Sequence, residues 1–330
     1  MSYNQVNTPK FYLDAVLLAR QWGMTENDMN SANFFHLNPS NLSPLVFDTN
    51  TYTSIRINFK KRQFLNSLSH CFVLGHNFAS DSHTDAGGNI IAGVHYSIRG
   101  ETGSESHPFK IATAPVKNGW DKFSLDSETG LDFNQLKITI NGVIGETIKL
   151  GDISLGWSYS MPFSPDLQLT LNYENESIRT QTTLGGHTLT NAGWNHQPVW
   201  NRKAAWVRGA GDSDSADFDD YRIYPSGKRS WDLKFSYLSG DGDTNLFSQN
   251  FFHNNEEHYG IFNSTSSGFS VKEDWLNSFW FSTNCGQLPF IFQPNQSEEE
   301  YAICRIQGTP SFTQVANGVY DISLDIVETW

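Results

Sequence analysis

Apolar side chains recur at every second position in several short stretches of the chain, and turn-forming residues follow each stretch. The stretches are 52–59, 90–98, 136–143, 167–173 and 320–326. Alternation with a period of two is typical of a strand that buries one face. Turn signals that recur every roughly eight to twelve residues are typical of antiparallel sandwiches. The pattern therefore predicts an all-β protein.

The last 42 residues, 289–330, predict a closing hairpin. Apolar residues 289–292 begin a strand, Pro294 and Asn295 interrupt it, and residues 301–306 resume it. Asn317 and Gly318 form a turn, after which apolar residues again alternate to residue 326. Because the chain ends within an amphipathic strand, we expect its terminus to be held in a sheet.

The sequence does not decide between strand and helix for two segments. Residues 11–22, FYLDAVLLARQW, fit either a strand or a short helix, and so do residues 274–283, DWLNSFWFST. Residues 27–43 are rich in Asn, Ser and Pro, which favour irregular chain. We predict that residues 1–44 form an extended arm laid over the rest of the protein.

Composition supports the β assignment and narrows the function. A chain of 330 residues can form about two domains at roughly 150 residues each. Hydrophobic residues make up 38% and aromatic residues 14%, whereas only 17% are charged; aromatic residues fill half-buried sheet faces well. With 22 basic and 35 acidic residues the net charge is −13, which argues against nucleic acid as a partner.

The beginning of the chain lacks the basic-then-apolar layout of a secretory signal, and its apolar run at residues 15–19 is too short to cross a bilayer. We therefore expect synthesis in a cytoplasm and no membrane insertion. Cys71 and Cys304 lie in apolar strand-like runs, where a thiol acts as a small buried hydrophobe. Cys285, beside Gly286, does not lie in such a run, so the sequence does not indicate whether its thiol is buried. No CxxC spacing occurs, so structural roles are favoured over a disulfide or a nucleophile.

An acidic run at 212–220, DSDSADFDD, is the nearest approach to a metal site. Carboxylates at alternate positions can wrap Ca²⁺, but the glycine and terminal glutamate of an EF-hand are missing. A solvated loop is the simpler interpretation, and cation binding stays open.

The histidines do not form a recognisable catalytic pattern. His70, His76 and His83 have neither the helical i, i+4 spacing nor that of a compact strand pair. His253 and His258 flank Glu256 and Glu257 without the HExxH order, and a loop explains them better. We predict no catalytic residues, no cofactor and no metal site.

Residues 289–330 resemble the closing hairpin of bacteriophage tail proteins, and residues 228–238 resemble a strand that precedes this hairpin in phage tail-tip proteins. Three further segments, 69–80, 121–127 and 137–166, resemble in order the strands of a galactose-binding-like (discoidin-type) domain carried by phage tail proteins. The resemblance implies a galactose-binding-like jelly-roll sandwich at 45–165 and a β-rich tail assembly domain at 166–330. It also implies a structural role for His76.

The function implied by the resemblance is a structural part of a virion tail, a distal-tail or tail-tip ring or adaptor that acts through subunit–subunit interfaces. Its partners would be copies of itself in a ring and other phage tail proteins, and its location the virion. We expect partner contacts at aromatic residues of the second half, namely Trp231, Phe290, Phe292, Tyr320 and Trp330.

Two other functions stay open. A carbohydrate-binding tail module that contacts a host surface glycan predicts exposed Trp or Tyr on sandwich loops. A glycan hydrolase predicts paired carboxylates, which meet only in the folded chain. A ring protein, by contrast, predicts that its exposed aromatic residues lie inside subunit interfaces.

Overall fold

The computed structural model describes residues 6–23, 25, 34–39, 43–46, 52–59, 68–76, 83–84, 90–91, 95–102, 105–113, 119–125, 135–141, 147–166, 170–174, 178–192, 228–239 and 275–329. These residues are mostly β-strand with little helix, so the predicted all-β class is confirmed. Among them, no helix has the length and apolar character needed to cross a membrane.

The described residues form strands β1 to β19 and one short helix, α1. The strands are β1 Lys10–Asp14, β2 Ser43–Val46, β3 Tyr52–Asn58, β4 His70–His76, β5 His83–Thr84, β6 Ile90–Ile91, β7 His95–Thr102, β8 Glu105–Thr113, β9 Gly119–Ser124, β10 Gln135–Asn141, β11 Thr147–Leu150, β12 Asp152–Ser160, β13 Thr170–Glu174, β14 Ile178–Thr182, β15 Thr188–Ala192, β16 Lys228–Ser239, β17 Phe290–Gln293, β18 Ala302–Ala316 and β19 Val319–Glu328. The helix α1 spans Ala15–Gln21, and a π-helical turn at Leu276–Trp280 continues into a 3₁₀ turn at Phe281–Thr283.

One large antiparallel sheet has nine strands in the order β13–β16–β19–β18–β17–β1–β12–β4–β9. A second sheet has the order β3–β10–β7–β8, and three two-stranded sheets pair β2 with β11, β5 with β6 and β14 with β15. The last strand, β19, lies between β16 and β18. The prediction that the C-terminal strand is held in a sheet is therefore confirmed.

The first strand, β1, lies in the middle of the nine-stranded sheet. It pairs with β12 along all five residues and with β17 from Lys10 to Tyr12. Residues 11–22, which fit either a strand or a helix by sequence, contain one of each. Asp14 ends β1 and caps α1. The Asp14 carboxylate accepts a hydrogen bond from the Leu17 N–H at 2.8 Å, as a helix N-cap does.

The position of β1 corrects the prediction of an extended arm over residues 1–44. Residues 10–21 lie inside the fold, where all but Lys10, Leu17, Arg20 and Gln21 are buried. The nine-stranded sheet takes strands from each of the three predicted segments, 1–44, 45–165 and 166–330. Whether those segments fold separately stays a prediction.

The main core lies on one face of the nine-stranded sheet and includes the apolar face of β3, β7 and β10. Phe11 sits at its centre, with ring centroids 4.4 Å from Phe279, 5.7 Å from Phe290 and 5.4 Å from Phe292. Alternation explains this placement, because successive strand side chains point to opposite faces. The helical turns at residues 275–283 cover the same face, since Trp275 and Phe279 belong to this core.

The opposite face of the sheet carries a smaller, polar–aromatic layer. The Lys122 ammonium donates to the Tyr12 hydroxyl at 2.7 Å and to the Tyr301 hydroxyl at 3.1 Å, and lies 5.8 Å from the Phe72 ring centroid. Tyr12 in turn donates to the Gln293 side-chain oxygen at 2.7 Å. These contacts join strands β9, β1 and β17, so they link both halves of the chain.

Residues 34–39 cross the ends of β4 and β12, with Phe34 and Phe35 in the main core and Leu37 in the polar–aromatic layer. A Cβ atom on Gly75 or on Gly151 would collide with the Pro39 carbonyl oxygen, so only glycine fits at either place. The buried Asp152 carboxylate accepts the His36 N–H at 3.1 Å and the Asn38 N–H at 2.9 Å. Gly75 of the motif Leu-Gly-His, and Gly151 and Asp152 of the motif Gly-Asp-Ile, therefore hold the N-terminal segment in place.

Replacing Phe11 by alanine should lower the free energy of unfolding by about 3–5 kcal/mol, because a buried ring leaves a cavity among three other rings. Urea denaturation measures this change. Tyr52→Ala is the matched control, since Tyr52 is 54% exposed and should change stability by less than about 0.5 kcal/mol. Equal stabilities for the two variants would contradict a central role for β1.

Stability should also depend on pH through Asp14. Burial raises the pKa of Asp14 to about 7, although the Leu17 N–H and Arg20 favour the charged form. An unfolded aspartate has a pKa of about 4, so the native state holds the extra proton between these values. Its stabilising contribution is complete below about pH 4 and is lost as the pH rises to about 7.

We expect Asp14→Asn to flatten the fall in unfolding free energy between about pH 4 and pH 7, at about 1.4 kcal/mol for each pKa unit removed. Asparagine keeps the helix cap but cannot ionise. Denaturant midpoints measured across this range test the expectation. Glu299→Gln changes an exposed carboxylate and should keep the wild-type slope; an unchanged slope in Asp14→Asn would contradict the assignment.

Candidate assembly surface

The distal half of the β18–β19 hairpin extends beyond the pairing that holds its proximal half. β17 pairs with β18 only from Ala302 to Cys304, whereas β18 continues to Ala316. From residue 307 to 317 every side chain except Pro310 is exposed. This part of β18 has a partner on one side, β19, and no second strand beside it among the described residues.

On the other side of β19, strand β16 also extends beyond its outer neighbour. β13 pairs with residues 228–232 of β16, and residues 233–239 continue past it. A bulge interrupts the pairing with β19 between Phe235 and Leu238. At this bulge Tyr237 has a φ of 62° and an exposed side chain, 78% of which is accessible.

Two hydrogen bonds fix the strained backbone at Tyr237. The Tyr237 N–H donates to the Asp321 carboxylate at 3.1 Å, and the neighbouring Ser236 hydroxyl donates to the Asp166 carboxylate at 2.7 Å. A bulky residue with positive φ is strained and persists only where its surroundings determine it, which often happens at functional sites. The bulge therefore presents an exposed aromatic ring in a defined place.

The apolar face of the hairpin continues outward past the core. Ile322 is buried and stands opposite Phe312, which is 37% exposed. The Phe312 ring still touches the core at Trp275, with ring centroids 5.6 Å apart. Val315, nearer the turn, is 47% exposed. We call Tyr237, Phe312, Val315 and Tyr320, with the exposed residues 307–317, the distal surface.

The outer part of β18 and the turn that follows it carry no charge. Residues 307–320 contain no Asp, Glu, Lys or Arg, in a chain with a net charge of −13. Charge begins beside it on β19, where Asp321 pairs with Thr313 and its carboxylate lies 3.9 Å from the Lys234 ammonium. Charged side chains, proline and bulges protect exposed strand edges from pairing with another chain. This edge lacks the charges but contains Pro310 and irregular pairing between Gln307 and Ser311. Its exposed side chains, more than its backbone, are therefore suited to contact another protein.

A buried ion cluster holds the proximal end of the hairpin to β16. Arg229 donates to both oxygens of Glu328, at 3.0 and 3.1 Å, and to Glu300 at 2.9 Å. Burial lowers the pKa of Arg229, but Glu328 and Glu300 raise it by a larger amount. The net shift is upward, so the guanidinium stays charged. The same guanidinium lies 5.2 Å above the Trp231 ring centroid. The distal surface therefore extends from a firmly anchored base.

The residues predicted for partner contact fall mainly inside the chain's own core. Trp231, Phe290 and Phe292 are buried, and Trp231 contacts Phe292 at 5.2 Å between ring centroids. Tyr320 is half-buried and belongs to the distal surface. Trp330 lies outside the described residues. Tyr237, Phe312 and Val315, which are exposed, were not among the predicted residues, and partner contact itself stays a prediction.

The remaining sequence candidates are either structural or outside the described residues. His76 pairs with the Asp121 carboxylate at 3.1 Å in a buried position. His70 packs against the Tyr12 ring, and burial lowers its pKa. Cys71 and Cys304 are buried free thiols, as expected, whereas Cys285 is exposed.

The acidic run 212–220 and the histidines at 253 and 258 lie outside the described residues, and the side chain at 83 is not described. Over the described part of the chain, no group of three His, Cys, Asp or Glu residues could hold a metal ion. Comparison with protein-family models gives no match, and comparison with curated proteins gives none either.

Removing the positive charge of Arg229 at the base of the hairpin should lower the free energy of unfolding. Arg229→Ala leaves Glu328, 1% exposed, without its counter-ion, and breaking a buried pair on one side costs about 3–5 kcal/mol. Urea denaturation of the variant measures the loss. Arg305→Ala, at an exposed position of β18, is the control; a similar effect in both would mean that the cluster does not anchor the hairpin.

Proposed function

We propose that this chain is a structural component of a bacteriophage tail, a distal-tail or tail-tip ring or adaptor that acts through contacts between its subunits. The distal surface carries the proposal: it is an exposed, uncharged strand edge with partly exposed apolar side chains on an anchored hairpin. Such a surface is typical of protein–protein contact, in which charged residues are depleted and aromatic residues enriched.

The sequence resemblance gives this contact a biological setting. The distal surface lies within residues 289–330 and 228–238, which resemble the closing part of phage tail proteins. In that setting, each subunit of a closed ring contacts the next through two different patches, one on each side. The distal surface would supply one of them.

We further propose that residues 45–165 adopt the galactose-binding-like jelly roll implied by their sequence. Two antiparallel sheets, β3–β10–β7–β8 and the β12–β4–β9 part of the large sheet, contribute to one core cluster, which supports this proposal. The motif residues Gly75, Gly151 and Asp152 all have structural contacts. The jelly roll would then serve as a rigid support for the assembly half.

One observation favours carbohydrate binding as a second function. Tyr237 presents an exposed aromatic ring at a strained bulge, and aromatic rings stack on sugar rings. The side chains beside it, Lys234 and Asp321, can donate and accept hydrogen bonds. Tyr237 lies on a strand of the second half, away from the loops where sugar binding was expected.

Native mass spectrometry and negative-stain electron microscopy of the full chain test the first function. We expect one closed homo-oligomer with ring-shaped particles, and we expect Val315→Lys to shift it to monomer. Lysine lowers the negative charge of the chain, so a loss of assembly would reflect the local contact. Tyr52→Lys adds the same charge at an exposed site elsewhere and should leave the oligomer intact.

A wild-type chain that stays monomeric at all concentrations would contradict the ring function. Antibody against the chain should label virions at the distal end of the tail, and label elsewhere would contradict the location. Tyr237→Ala separates the two functions: loss of glycan-array binding with an intact oligomer favours carbohydrate binding, whereas loss of the oligomer favours an assembly role.

A further inference from the structure

The hairpin of β14 and β15 forms a two-stranded sheet of its own among the described residues. Ile178–Thr182 pairs with Thr188–Ala192, and no third strand joins them among the described residues. Every side chain from residue 180 to 190 is exposed. A two-stranded hairpin is only marginally stable in water and needs a further strand or an apolar surface. The described part of the chain provides neither.

Hydrogen bonds close the tip of this hairpin. The Thr183 N–H donates to the His187 carbonyl at 2.8 Å, and the Gly186 N–H donates to the Thr183 carbonyl at 2.9 Å. The Thr183 hydroxyl adds a bond to the His187 carbonyl at 3.1 Å. Leu184 is fully exposed at the tip and Leu189 is 60% exposed behind it. Apolar side chains held in a fixed turn lose little entropy on binding.

Charge indicates which partner fits the hairpin. Residues 180–190 contain no Asp, Glu, Lys or Arg, and neither do residues 307–320 of the distal surface. Two copies of a chain with a net charge of −13 repel each other. Electrostatic repulsion therefore opposes a contact between copies least where both surfaces are uncharged. Residues 180–190 and residues 307–320 meet that condition.

We propose that the β14–β15 hairpin of one copy docks on the distal surface of the next copy. The inference rests on the proposed ring function, because a heterologous contact joins two unlike patches of the same chain. Leu184 and Leu189 supply the projecting apolar groups, and Phe312 and Val315 receive them.

Two charge variants, each blocking one side of the contact, test this pairing. Leu184→Lys alters the hairpin, and Val315→Lys alters the distal surface. Each should raise the protein concentration for half-assembly by roughly tenfold or more, the effect of losing one buried aliphatic contact. Both positions are exposed, so circular dichroism should show an unchanged fold.

Mixing the two variants gives the decisive result. Leu184→Lys keeps an intact distal surface and Val315→Lys keeps an intact hairpin, so one good contact can form between them. We expect each variant alone to be monomeric and the equimolar mixture to give heterodimers by native mass spectrometry. The Tyr52→Lys variant should form the wild-type oligomer.

The other outcomes separate this inference from the proposed function. A wild-type ring that survives Leu184→Lys would overturn the role of the hairpin and leave the ring function standing. Two monomeric variants whose mixture stays monomeric would show that the surfaces bind elsewhere, for example on another protein, and would also overturn the pairing. A monomeric wild type would overturn the ring function itself.

Discussion

The fold depends on one strand pairing, the insertion of β1 between β12 and β17. Because β1 has a partner on each side, the strands of the first half and those of the second half become one sheet. Phe11 then packs into the core on one face, and Tyr12 joins the polar–aromatic layer on the other. The N-terminal residues hold together two regions that are more than 100 positions apart in the sequence.

The same constraint explains the motif residues of the first half. Residues 34–39 follow β1 and α1 and must cross the ends of β4 and β12. The chain passes so close that Gly75 and Gly151 cannot carry a side chain, and Asp152 accepts two of its backbone N–H groups. His76, next to Gly75, pairs with Asp121 on the neighbouring strand. These short motifs thus hold the protein's own N-terminal segment.

Local patterns in the sequence predicted strands well and their arrangement poorly. Alternation predicted β3, β10 and β19, and the turn at Asn317 and Gly318, because these depend on neighbours in sequence. The central place of β1 depends on partners far along the chain, and no local signal carries it. For the same reason Phe290 and Phe292 were assigned to a partner: an aromatic strand looks alike whether its own core or another subunit covers it. Tyr237 gave no signal, since its exposure arises from a bulge.

Charged side chains are distributed differently at the base of the β18–β19 hairpin and on the two exposed hairpins. At the base of the hairpin the charge of Arg229 is compensated by Glu300 and Glu328. On the exposed hairpins at 180–190 and 307–320, charges are missing although solvent would accept them at little cost. In a protein that stays alone, such uncharged edges favour aggregation. Folding does not require this lack of charge, which instead supports the contact between subunits that we propose.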